Sequence, residues 1–537
     1  MFYTVLANIP FWTASSAFGF FHHGVFCLEY AGIGVLALFA PRIVTVVLLP
    51  TVIAADLICG ACRTYCLSVS ECLANIGVFH ALSGPRRRFA VAVVLLTALV
   101  TAVAAFLPAP STRDRHRWLA AVCLVAFGAL LLSADSVSII RRTGHLPDFL
   151  GSGPRVDRVE FSLFNAARLA RIPSAHLMKA ELEFARIRKS EEATRASVLT
   201  VPGAAAVAVR FAGSTAGKGL QEKPNLVIVL VESWGLATDS TWKNALVQLY
   251  FEPGLQSRYE VMQGTVPFYG GTVAGEARDL CGNGLGFHLL AASTAELRGC
   301  LPQRLAAQGY HNIAVHGMDG HMFARSTWYA RIGFQERWFN YQLKRQGLPD
   351  CPGAFVGTCD AAVAEWIGGW LAEHDADPYF VHWVTLNFHL PVLVPSPLVD
   401  GTPCSTALNL SPGSPLCSWY QLVANVHRSV SKLAMGKLGC PTIFVIVGDH
   451  VPPFGDPDLR NRFSDRVVPY VVLAPRPDNH PPNWLVAHYA LAQVRAADKA
   501  SSSTRGGTRE NAPASTSSRL HCQALSPHSV RLNRIAY

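Results

Sequence analysis

The chain has 537 residues, 50% of them hydrophobic and only 15% charged, with a formal net charge of +10 and a mean hydropathy of +0.25. Charged residues make up about 25% of an ordinary soluble protein, so this deficit argues against a wholly soluble chain, and the hydrophobicity argues against a disordered one. The 14 cysteines are too sparse over this length for a disulfide-scaffold miniprotein.

Residues 1–135 read as membrane. Phe2–Phe21, Val25–Ala40, Ile43–Cys62, Phe89–Leu107 and Trp118–Ala134 are apolar stretches, approaching the roughly 20 residues that cross a ~30 Å hydrocarbon core. They give four or five spans. Met1-Phe2-Tyr3 offers no basic n-region for a cleaved signal peptide. Either count places everything after Ala134 on the outer side. With five spans, Arg42 and the Arg113/Arg115/Arg117 loop lie inside, as the positive-inside rule asks, but Arg86-Arg87-Arg88 falls outside. Glu29 and Asp56 fall within proposed spans; either they lie near span ends or the span boundaries are displaced.

Residues 136–222 read as a juxtamembrane connector, with helix-forming stretches at Ala166–Arg171 and Leu177–Lys189 and a flexible break at Gly213–Gly219. It either lies along anionic head groups or is a solvated helix pair.

From residue 223 to 494 short apolar runs alternate with helical stretches. Asn225–Val231, Asn312–Val315, Tyr379–Leu386, Thr442–Val447 and Val468–Leu473 are β-branched or aromatic, without the polar alternation of a half-exposed sheet. Leu301–Gln308 and Ala361–Glu373 read as helices between them. This is the rhythm of an α/β domain with a mainly parallel sheet. The first strand ends at Glu232-Ser233, the second at His316, the third at Asn387-Phe388-His389, and the fourth at Gly448-Asp449-His450. Ligands of open α/β sheets bind outside the carboxyl ends of the strands, so Glu232, Asp449 and His450 are expected to converge. Two carboxylates and an imidazole suit Mn²⁺, Mg²⁺ or Zn²⁺; singly, each is a surface or capping residue. Gly270-Gly271-Thr272 allows close approach of backbone to a ligand, and a helix starting after Thr272 aims N–H groups at a phosphate. Thr272 is a nucleophile only if a metal activates it; alone it is an ordinary N-cap.

Lys223-Pro224-Asn225 through Glu232-Ser233, then Gly271-Thr272-x-x-x-Glu276, His316-Gly317, Asn387-x-His389 and Gly448-Asp449-His450-x-Pro452-Pro453-Phe454 occur in that order. The set resembles the lipoteichoic acid synthase-like and phosphoethanolamine transferase-like branch of the alkaline phosphatase and sulfatase superfamily. The resemblance spans residues 220–475 and implies an α/β/α sandwich behind a transmembrane helix bundle. It implies that Glu232, Thr272, Asp449 and His450 hold a metal, manganese or magnesium, with zinc as the alternative, and that Thr272 forms a phospho-threonine intermediate. It implies that His389 contacts the transferred phosphoryl group or its leaving oxygen, and that His316 and Arg325 line the head-group pocket. The implied reaction moves a phosphorylated head group, of phosphoglycerol or phosphoethanolamine type, from a membrane phospholipid to an envelope glycan or lipid. The protein would lie in the plasma or inner membrane, multi-pass, with its catalytic domain on the periplasmic or extracellular side. A competing reading is a sulfatase or phosphate-ester hydrolase. Cys300-Leu301-Pro302-Gln303-Arg304 fits C-x-P-x-R, the core of the motif whose cysteine becomes formylglycine. Its continuation lacks Leu-Thr-Gly, and Glu232-Ser233 stands where paired aspartates are usual. A catalytically silent envelope-assembly relative is the other reading.

Cys281/Cys300, Cys351/Cys359 and Cys404/Cys417 are sequence-near pairs, natural disulfides for an oxidising compartment; eight cysteines nevertheless allow 105 connectivities. Residues 495–537 read as a disordered basic tail. The tail carries seven basic and two acidic residues and the first 135 carry eight and five. The basic excess therefore belongs to tail and membrane loops, and no nucleic-acid partner is expected.

Overall fold

The computed structural model describes residues 2–18, 27–64, 69–74, 82, 84–106 and 114–143, and most of 223–476. The remainder of the connector, the tail, Asn387 and Cys404 lie outside the described residues.

Each of the five apolar stretches coincides with a helix: α1 (Ile9–Phe18), α2 (Leu28–Phe39), α3 (Arg42–Thr64), α4 (Gly84–Phe106) and α5 (Asp114–Thr143). Two segments, Arg42–Cys62 and Arg86–Phe106, are long and apolar enough to cross a membrane, while Glu29–Phe39 and Arg117–Leu131 are shorter apolar helices. Val94, Leu95, Leu99, Leu119, Val122 and Val125 point outward and are exposed, the surface a lipid-facing helix presents. Asp56 departs from expectation. It lies well inside α3, fully buried, where it accepts a hydrogen bond from the Tyr30 hydroxyl at 2.8 Å. Ionisable groups at such depth face the bundle interior because lipid cannot solvate them. Glu29 is in the first turn of α2. Helix α5 runs past Ala134 to Thr143, since Asp135 to Arg142 contains no glycine or proline to stop it.

The second part is built on a seven-stranded sheet in the order β2-β9-β8-β1-β7-β3-β4. The strands are β1 (Asn225–Val231), β2 (Tyr259–Pro267), β3 (His311–His316), β4 (Glu336–Phe339), β7 (Tyr379–Val384), β8 (Thr442–Gly448) and β9 (Val467–Pro475), with β5 (Asp350–Cys351) and β6 (Gly357–Thr358) forming a separate small ribbon. β8, β1, β7, β3 and β4 pair in parallel; β9 is antiparallel to both β8 and β2. Successive residues of β1 enter opposite cores. Val227, Val229 and Val231 pack with Ile367 and Leu371 of α9 (Asp360–Glu373) and with Trp419 and Val423 of α10 (Pro415–Met435). Leu226, Ile228 and Leu230 pack with Ala277 and Leu280 of α6 (Thr272–Cys281), Leu301 and Leu305 of α7 (Leu301–Ala306), and Trp328 and Tyr329 of α8 (Arg325–Arg331). A central strand buried on both faces gains about 25 cal/mol per Å² of apolar surface removed from water on each. That is why it reads as an unbroken apolar run. The architecture is an α/β/α sandwich with a mainly parallel sheet, as expected. Disulfides join Cys281 to Cys300 and Cys351 to Cys359.

Candidate active site and metal centre

The carboxyl ends of β1 and β8, neighbours in the sheet, bring Glu232 next to Asp449 and His450. A ligand atom from each of the three lies within 4.8 Å of the others. The turn after β1 is strained: Ser233 has φ 54°, a left-handed conformation that non-glycine residues adopt at a cost. The strain is held by four hydrogen bonds. Ser233 N–H donates to Asp449 Oδ1 at 2.7 Å, and its hydroxyl to Glu232 Oε1 at 2.9 Å. Its carbonyl accepts from the Trp419 indole at 2.8 Å, and Glu232 N–H is taken by Thr385 Oγ1 at 3.0 Å. Gly448 permits the closure, because a Cβ there would stand 2.0 Å from the Trp234 carbonyl oxygen.

Thr272 is the first residue of α6, capped by Gly271, and its hydroxyl donates to Glu232 Oε2 at 2.9 Å. The two oxygens of Glu232 are thereby divided, one turned to Ser233 and the other to Thr272. Gly275, in the same first turn, lets α6 approach the β8 end; a Cβ on it would lie 3.0 Å from Asp449 Cβ. His450 Nε2 lies 3.3 Å from Glu232 Oε1 and 3.4 Å from Asp449 Oδ2. His389 Nε2 is 3.9 Å from Glu232 Oε1.

The donor set fits a divalent cation. His450 Nδ1 lies 2.7 Å from the Val451 carbonyl, an acceptor, so Nδ1 carries a proton and it is Nε2 that faces both carboxylates; loss of the Nε2 proton would leave its lone pair for a metal. Asp449 Oδ2 is buried and accepts no hydrogen bond. Burial and the neighbouring Glu232 push the Asp449 carboxyl up to about 8. Burial opposes charge on both Glu232 and His450. His389 and His450 nevertheless hold Glu232 well below the usual carboxylate range, while Asp449 and Glu232 raise His450 to about 10. Two carboxylates this close need a positive charge between them, and a divalent cation supplies it without a proton.

Behind this centre sits a buried polar layer. Arg325, the first residue of α8, is 2% exposed. It donates from Nε to both oxygens of Glu276, at 3.2 and 3.1 Å, and from Nη2 at 2.8 Å. The Tyr329 hydroxyl also donates to Glu276, and His382 Nε2 is 3.7 Å away. Burial alone would raise the Glu276 carboxyl, but Arg325 and His382 lower it to about 2. Arg325 is thus engaged by Glu276 rather than open to a head group. His316 is also buried, its Nδ1–H donating to the Val384 carbonyl at 2.9 Å. Burial and Arg325 lower its pKa to about 3 and keep it neutral. Two residues beyond Glu276, Arg278 pairs with Asp279 at 2.6 Å and donates to the Gly448 carbonyl at 2.9 Å, bracing the Asp449 turn.

Of the seven residues singled out in the sequence, the structure brings together Glu232, Thr272, Asp449, His450 and His389. It sets Arg325 and His316 in the wall behind them. Sequence reasoning missed the work of Ser233, Glu276, Arg278, Tyr329 and His382. The spacing Thr272-x-x-x-Glu276 was the available signal, since it places Glu276 one helical turn behind Thr272. Cys300, the formylglycine candidate, is 2% exposed and bonded to Cys281.

The sulfatase family model matches residues 224–483. No curated protein sequence matches the chain at a significant level. Among solved structures, the lipoteichoic acid synthase LtaP from Listeria monocytogenes aligns at 14% identity over 48% of this chain and 67% of its own, with a TM-score of 0.37. The Streptococcus pyogenes phosphoglycerol transferase GacH, in complex with sn-glycerol-1-phosphate, aligns at 15% identity over 51% and 74%, with a TM-score of 0.34. The C-terminal periplasmic domain of EcEptC from Escherichia coli aligns at 16% identity over 48% and 73%, with a TM-score of 0.28.

Proposed function

Since residues 224–483 form a domain of the sulfatase family, within the alkaline phosphatase and sulfatase superfamily, we propose that this protein is a membrane-bound, metal-dependent transferase. It moves a phosphorylated head group, of phosphoglycerol or phosphoethanolamine type, from a phospholipid to an envelope glycan or lipid acceptor. The observation that carries this reading is the Thr272 hydroxyl bonded to Glu232 at 2.9 Å, at a helix N-terminus beside Asp449 and His450. A nucleophile there meets a phosphate already drawn by backbone N–H groups.

In the first half-reaction Thr272 Oγ bonds to phosphorus, the bond from phosphorus to the lipid oxygen breaks, and the hydroxyl proton passes toward Glu232 Oε2. The leaving oxygen takes its proton from the His389 imidazolium. In the second half-reaction an acceptor hydroxyl gives its proton to His389 and bonds to phosphorus, the bond from phosphorus to Thr272 Oγ breaks, and Oγ recovers the proton from Glu232 Oε2. Glu232, Thr272, Asp449 and His450 would hold a divalent cation, Mn²⁺ or Mg²⁺ before Zn²⁺, which would lower the hydroxyl pKa and offset phosphoryl charge. Phosphate-ester hydrolysis shares the first half-reaction, with water as acceptor. Sulfate-ester hydrolysis is equally compatible with the family match, though not through a formylglycine at Cys300, which is bonded to Cys281. The catalytic domain would face the periplasmic or extracellular side, where both disulfides persist.

The test is incubation of the full-length protein with vesicles of a fluorescent-head-group phospholipid and manganese, followed by peptide mass spectrometry. A head-group phosphate adduct on Thr272, lost in Thr272→Ala together with head-group release, is expected. Release that continues unchanged in Thr272→Ala would overturn the mechanism.

A further inference from the structure

Helix α4 enters its span at Gly84, and two residues earlier Leu82 forms an antiparallel β-bridge with Phe355 of the α/β domain. Leu82 is buried, and the Arg87 guanidinium donates to its carbonyl at 3.4 Å. Phe355 lies in the segment closed by the Cys351–Cys359 disulfide. That segment is fixed to the strand ends from behind. Thr358 N–H donates to the Gly317 carbonyl at 2.8 Å, and a Cβ on Gly357 would meet Leu386 at 2.3 Å and Gly317 O at 2.4 Å. On its other side the Phe355 ring stands edge-on to the His389 imidazole, with centroids 4.7 Å apart and planes at 85°. Phe355 also packs on the small apolar cluster of Met318, Met322 and Leu386. Contacts therefore run without a break from the entry of a membrane helix, through Phe355, to His389 and Glu232.

We propose that the segment at Leu82 is a dock that seats the α/β domain on the membrane part, holding the His389 side of the cleft toward the bilayer so that a membrane-embedded donor reaches Thr272 from that side. The inference rests on the phospholipid-transferase reading above. It also gives Arg86-Arg87-Arg88 a place. The dock puts the start of α4 on the same side as the α/β domain, where the positive-inside count had left these arginines out of order. Arg86 is 2% exposed and Arg87 bonds to Leu82. The Arg87 side chain serves the dock instead of setting orientation. Because the contact is small, one backbone substitution opens it without touching either core.

Full-length protein in vesicles is compared with Leu82→Pro, whose ring fixes φ and constrains the backbone at the bridge, and Leu82→Ala, which leaves the backbone unconstrained. Two donors with the same head group are used: a long-chain phospholipid in the vesicle and a short-chain one below its micellar concentration. Misplacing a reacting group by about 1 Å costs up to roughly a hundredfold in rate. Leu82→Pro is therefore expected to lose about tenfold or more on the vesicle donor while matching wild type on the soluble donor, with Leu82→Ala close to wild type on both. Equal loss on both donors, or loss on neither, overturns the dock. If wild type turns over neither donor, the transferase reading fails, and the dock is read separately. A benzophenone amino acid at position 82 should then crosslink, on irradiation, to the peptide containing Phe355; crosslinks elsewhere and none there would overturn it.

Discussion

Replacing Arg325 with methionine removes the only arginine that touches Glu276 among the described residues and leaves a carboxylate with the Tyr329 hydroxyl and a distant His382. Glu276 and Arg325 are 0% and 2% exposed, so water cannot replace the three lost hydrogen bonds. Breaking one side of such a buried pair costs about 3–5 kcal/mol. In a domain of this size each kcal/mol lowers the melting temperature by roughly 2–4 °C, so Arg325→Met should melt roughly 6–20 °C lower. The double variant Glu276→Leu/Arg325→Met leaves no orphaned charge and should recover most of that loss. Glu276 sits one turn behind Thr272, so turnover of a water-soluble phosphodiester should fall in the single variant and return, at least partly, in the double. The assay is thermal unfolding of detergent-solubilised protein followed by tryptophan fluorescence, run beside that turnover measurement. An unchanged melting temperature with a raised KM for the donor would refute the reasoning. It would mean that Arg325 serves the head group directly.

Two further outcomes are expected. Burial holds His427 near 3, and burial with Arg325 holds His316 near 3, both below the ordinary 6.5 of the unfolded chain. Their stabilisation is complete above about pH 6.5 and is lost as the pH falls toward 3, each adding a slope of up to about 1.4 kcal/mol per pH unit; a urea midpoint constant from pH 7 to pH 5 would contradict this. Gly275→Ala should weaken manganese binding roughly tenfold or more, because the new Cβ would press on Asp449 at 3.0 Å; calorimetric affinity equal to wild type would refute the crowding.

The central strands were legible because burial on both faces demands continuous apolar residues. Asn225–Val231 was read to the residue, and Thr442–Val447 ends one residue short of the observed strand. The edges were not. Tyr259–Pro267 carries Glu260, Gln263 and Gly264 and is half exposed, and Glu336–Phe339 has only four residues. Edge strands need neither apolar continuity nor length, so periodicity does not mark them. The reactive residues could be placed at strand ends from chain order alone. What order could not supply was the partner of each charge. That Arg325 would turn to Glu276 depends on α6 and α8 packing side by side over the same sheet face, a contact between residues 49 positions apart. The hold of Ser233 on Glu232 and Asp449 depends likewise on a positive φ that serine does not advertise.

Helix α6 is pinned at three heights: Thr272 to Glu232 at its first residue, Glu276 to Arg325 one turn on, and Cys281 to Cys300 at its last. The lowest pin is the only one a common laboratory reagent removes. Dithiothreitol in a purification buffer acts on the far end of the rod that carries Thr272. On the proposed reading, a preparation kept reduced for convenience would be less active, and a compound screen run in that buffer would score thiol chemistry as inhibition.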